Sequence, residues 1–81
     1  MGPVEDPIAW AKVERIAGRK LRQGTGRSGL VYHVVQGEQW RVWVETPRTR
    51  MEIGSARMQD HALALAALWE HGVSSGRIDM S

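Results

Sequence analysis

The stretch RMQDHALALAALWEHG, residues 57–72, decides the fold, because its spacing, composition and end signals all ask for one element. Met58, Ala62, Leu65 and Trp69 fall at i, i+4, i+7 and i+11 and make one apolar stripe, with His61 and Leu68 on its flank, so a helix is predicted here. Ser55, after Gly54, is the expected N-cap, and Gly72 stands where a left-handed residue closes a helix. Leu63, Ala64 and Ala67 lie off the stripe, so the helix is apolar nearly all round except at Gln59, Asp60, Glu70 and His71. One packed face does not account for that. Either another helix covers the second side or a second copy of the protein does, and in the latter case Leu63 and Ala67 are interface residues.

Residues 8–22 carry similar spacing. Asp6-Pro7 matches an N-cap followed by proline at the first helical position. Trp10, Val13, Ala17 and Leu21 form a stripe with Ala9 and Ile16 beside it, opposite Lys12, Glu14, Arg15, Arg19 and Arg22. Gly18 weakens the middle of this predicted helix by about 1 kcal/mol relative to alanine. Gln23-Gly24-Thr25-Gly26-Arg27-Ser28-Gly29 then reads as a linker. Its Gly-x-Gly-x-x-Gly spacing would cradle a phosphate only after a strand and before a helix, and here it follows a helix and opens a strand.

Residues 30–36 and 39–45 are rich in valine and aromatic residues and read as strands. Gly37-Glu38 fits a two-residue turn, and Thr46-Pro47-Arg48-Thr49 places proline where a type I turn wants it. With Pro47 and Arg48 as the loop, Glu45 faces Arg50, Val44 faces Met51, Trp43 faces Glu52 and Val42 faces Ile53. That register sends Trp40, Val42, Val44, Met51 and Ile53 to the core and Arg41, Trp43, Glu45, Arg50 and Glu52 to the other side. The first strand stays open between two registers. A two-residue turn turns Val31, His33 and Val35 inward, and a three-residue turn does so for Leu30, Tyr32 and Val34. The predicted fold class is α+β, a three-stranded antiparallel sheet packed on two helices in the order α-β-β-β-α, forming one domain over residues 1–81 with flexible ends at 1–6 and 74–81.

The run His33-Val34-Val35, then Trp40-x-Val42, Glu45, Arg48 and the alanine-rich helix, resembles a short bacterial domain family of unknown function that opens with His-Val-Val and Trp-x-Val strands, over roughly half of the chain. The helix, three strands, helix order is similar to double-stranded-RNA-binding domains and HicA-type toxins, and the last four elements resemble the arm-binding domains of phage integrases. These likenesses imply a nucleic-acid partner and a phage or mobile-element setting. The chain departs from two motifs of these families, the lysine-rich start of the last helix in double-stranded-RNA-binding domains and the Gly-Ser-His-type motif early in the sheet of HicA-type toxins. The lysine-rich opening of the last helix is replaced by Arg57, Met58, Gln59 and Asp60, and Arg27-Ser28-Gly29 is followed by His33 out of place for a Gly-Ser-His motif.

Net charge is +2, and the eleven basic residues are nearly all arginine, whose fork grips phosphate or carboxylate in two places. A GC-rich genome favours the same composition. Arg15, Arg19, Lys20, Arg22 and Arg27 form one basic cluster, expected at the end of the first helix and in the linker. Arg41, Trp43 and Arg50, joined by His33 or Tyr32 according to register, form a second on the outer sheet face, where an aromatic ring among cations can stack a base. Glu45 and Glu52 sit in that patch and would repel phosphate. The structural alternative there is Trp43 covered by arginine stems beside a Glu45–Arg50 pair worth about 0.2–1 kcal/mol.

The absence of cysteine excludes a disulfide scaffold, a zinc ribbon and a thiol nucleophile. His33, His61 and His71 lack metal-ligand spacing, so neither metal nor cofactor is expected. There is no secretory signal and no apolar run near the ~20 residues of a membrane span, which reads as cytoplasmic. The sequence therefore predicts a small non-catalytic module that binds RNA or DNA. The alternatives are a dimeric protein-interaction module or inhibitor of phage type, and a HicA-like ribonuclease with His33 as base.

Overall fold

In the computed structural model, which describes residues 6–11 and 13–79, alternation of side chains governs more of the chain than helical spacing does. The elements are β1 (Ile8–Trp10), β2 (Glu14–Ile16), β3 (Arg19–Gly26), β4 (Val31–Gln36), β5 (Trp40–Glu45), β6 (Arg50–Ala56) and α1 (Gln59–Ser74). They make one antiparallel sheet in the order β1-β3-β4-β5-β6, with β2 also paired to β3, and α1 rests on one face. The expected three-stranded sheet on two helices is thus overturned: among the described residues there are six strands and a single helix, and the order is not α-β-β-β-α. Of the ends expected to be flexible, 1–6 and 74–81, residues 1–5 and 80–81 lie outside the described residues, as does Lys12 of the expected first helix.

Residues 8–10, 14–16 and 19–22 form strands because their pairing partners lie elsewhere along the chain. Ile16 pairs with Arg19 around Ala17 (φ 53°) and Gly18 (φ 79°), two left-handed residues in succession, as a type I′ hairpin turn requires. Asp6 caps no helix. Its Oδ1 accepts the Ile8 N–H at 2.9 Å and its Oδ2 accepts the Trp10 indole N–H at 3.1 Å, which starts β1. Gly24 and Gly26 belong to β3 and not to a linker. A side chain at Gly24 would run into Ile8 and Trp10, and one at Gly26 would run into the Glu70 carboxylate.

Gln36 pairs with Trp40, which leaves a three-residue turn and settles the register of β4: Leu30, Tyr32 and Val34 face the helix, and Val31, His33 and Val35 face away. Between β5 and β6 the pairs Glu45–Arg50, Val44–Met51 and Trp43–Glu52 are those expected. A bulge then pairs Val42 with Gly54 in place of Ile53, bringing Gly54 beneath Leu65. Trp40 packs at the core margin while Trp43 lies on the opposite face.

The core consists of Ile8, Leu30, Tyr32, Val34, Val42 and Val44 against Ala62 and Ala66. Alanines four apart let the helix sit close to the sheet, and the third residue of that row is Glu70, fully buried. Helix α1 starts later than expected, after Met58 in extended backbone with no side-chain cap, because Ser55 and Ala56 are still in β6. Gly72 lies inside the helix. Its carbonyl accepts the N–H groups of Arg77 and Ile78, folding residues 75–78 back over it. Met58 and Leu68, assigned to the packed stripe and its flank, are exposed. Among the described residues no helix is long and apolar enough to cross a membrane.

Candidate nucleic-acid interface

Helix α1 covers β4, β5 and β6 and leaves β2 and the first half of β3 open on the same side. Gly24 and Gly26 face that side, against Ile8 and Glu70, so Lys20 and Arg22, in step with them along β3, project there too. Arg15 is the cross-strand partner of Lys20. Three cations therefore share a ledge beside the helix, two of them directly opposite each other. None has an ion pair among the described residues. The Arg22 guanidinium carbon lies 5.7 Å from the centroid of the Trp10 ring, and its Nε is buried without a hydrogen-bond partner among the described residues.

The far side of the sheet differs in electrostatic character. Arg41 donates to Glu52 Oε2 through Nε at 3.1 Å and through Nη2, and its guanidinium carbon lies 5.1 Å from the Trp43 centroid. Arg50 Nη2 donates to Glu45 Oε1 at 2.9 Å, and His33 Nε2 lies 3.0 Å from the same oxygen. The hydrogen bond from Arg50, then that from His33, holds the Glu45 carboxyl below the usual carboxylate range, and Arg41 does the same to Glu52. Trp43 is thus stacked under an arginine already committed to a glutamate.

The eight residues expected to bind nucleic acid fall into three places. Arg15, Lys20 and Arg22 share the ledge; Arg19 shares the opposite face with Arg41, Trp43 and Arg50; and Arg27 lies in the β3–β4 turn, its N–H bonded to the Pro7 carbonyl at 3.2 Å. The single cluster expected from Arg15 to Arg27 is divided because a strand sends alternate residues to opposite sides. Leu63 packs against the molecule's own core, and Ala67 is half-buried. His33 points to the open face with Trp43 as its cross-strand partner.

Sequence reasoning missed Trp10 as a member of the ledge, and it missed Glu70. The Glu70 carboxylate accepts the Ser28 N–H at 2.8 Å, the Ser28 hydroxyl at 2.6 Å and the Tyr32 hydroxyl at 2.9 Å, tying the β3–β4 turn to the helix. Burial, then the Glu70 hydrogen bond, pushes the Tyr32 phenol well above its ordinary value. One signal was present: an acidic residue in the row Ala62, Ala66, Glu70. Among the described residues no group of three or more histidines, aspartates or glutamates is arranged to hold a metal ion. No protein-family model matches the chain, and neither the curated proteins nor the solved structures contain a significant match to it.

Proposed function

We propose that the protein is a small non-catalytic binding module that engages the phosphate backbone of RNA or DNA along the ledge formed by Arg15, Lys20 and Arg22. The observation that carries this reading is the direct opposition of Arg15 and Lys20, with Arg22 on the same side and no carboxylate among the described residues paired to any of them. Like charges facing each other across a ladder cost roughly 0.2–1 kcal/mol, and a bound polyanion reverses the sign of that interaction. Two guanidinium forks supply bidentate contacts to phosphate oxygens, and the lysine supplies a point charge between them. Trp10 adds an aromatic edge beside the ledge, where an unstacked base can rest. Arg41 and Arg50 take no part, since their charge is already matched by Glu52 and Glu45.

The reading is tested by fluorescence anisotropy with labelled single strands and duplexes of RNA and DNA at low salt. Wild-type protein is expected to bind, the double variant Arg15→Ala/Lys20→Ala to bind at least tenfold more weakly, and Arg41→Ala to match wild type. Micromolar protein that leaves every probe unbound rejects it.

A further inference from the structure

We infer that the open face of the sheet, opposite α1, is the seat of a second copy of this chain, giving a face-to-face dimer with the helices outside. The middle of that face is apolar: Leu21, Val31 and Val35 lie half-buried beside Trp43, and Ile16 stands 61 % exposed at the hairpin end. A hollow of about 310 Å³ opens among Leu21, Gln23, His33, Val35, Trp43 and Arg50 and offers entry to side chains of a facing surface.

Charge on the face selects the occupant. Strand alternation places Arg19, Arg41 and Arg50 there together with Glu14, Glu45 and Glu52, and the bonds Arg41–Glu52 and Arg50–Glu45 already neutralise most of it. A strongly acidic or basic partner would find its complement engaged. A copy of the same balanced surface meets no net repulsion and can exchange ion-pair partners across a two-fold axis. The area suits a weak, concentration-dependent dimer, since strands about 4.8 Å apart and about six residues long give a footprint of about 450 Å², or about 900 Å² over two copies, at the low end of specific interfaces. The Arg15, Lys20 and Arg22 ledge lies on the other side of the sheet, so dimerisation leaves it uncovered.

Sedimentation equilibrium from micromolar to millimolar protein tests the inference. Wild type is expected to move from one to two chain masses, while Val35→Glu stays at one with unchanged far-UV circular dichroism. Ile16→Glu, at a side chain too exposed to unfold the monomer, is expected to weaken the dimer at least tenfold, and Leu68→Glu on the outer side of α1 is expected to leave it intact. A wild-type monomer at every concentration overturns the inference, as does a dimer that survives both face variants or is lost only with Leu68→Glu.

Discussion

At the residue scale the most constrained group is the Glu70 carboxylate, fully buried and held by three donors from Ser28 and Tyr32. Hydrogen bonds to a charged acceptor contribute more than neutral ones, and a buried donor left unpaired carries its whole desolvation cost. Glu70→Ala should therefore lower stability by roughly 2–4 kcal/mol, as read by urea unfolding. Titration follows from the same contacts. The Tyr32 phenol is raised above its ordinary value of 10.0, so its contribution is complete below that pH and is lost as pH rises further, when the unfolded chain sheds a proton that the folded chain keeps. Glu45 and Glu52 are lowered from 4.5, so their contribution is present above that pH and fades as pH falls below it. Melting temperature against pH should thus show an alkaline decline beyond 10 and a smaller acid decline below 4.5, the latter small because both pairs are exposed to solvent.

At the element scale the β2–β3 hairpin carries the functional argument, and it is also where sequence and structure part. Helix α1 and strands β4 to β6 were legible because their signals are local: apolar residues at helical intervals, alternation in β5, and proline at the turn after it. Strands β1 to β3 were not, because Trp10, Val13, Ala17 and Leu21 happen to repeat at helical spacing while their backbone partners lie beyond a turn whose Ala-Gly pair is a weak hairpin signal. Placing Ala17 in the left-handed region costs about 1 kcal/mol, which the ladder on either side offsets. The Ser28–Glu70 tie was invisible for the same reason, since no local pattern links a turn to a helix so far along the chain. At this scale a single substitution separates fold from function. Arg15→Glu replaces a repelling pair with an attracting one opposite Lys20, so stability to urea should rise by about 0.5 kcal/mol while affinity for nucleic acid falls.

At the scale of the whole molecule, the sheet has two unlike exposed surfaces: a ledge of cations with no ion pair among the described residues, beside the helix, and an opposite face whose charges cancel around an apolar centre. A net charge of only +2 conceals that separation, which alternation along β3 produces by sending Arg19 and Lys20 to opposite sides. Binding carried by the ledge releases about as many counterions as it has cations. The measurement that tests this most directly is the slope of log affinity against log salt for a labelled strand. Three phosphate contacts predict a slope of about −2 to −3, falling to between about −1 and 0 when Arg15 and Lys20 are both alanine. A slope unchanged by that double substitution, or an affinity indifferent to salt, would contradict the account.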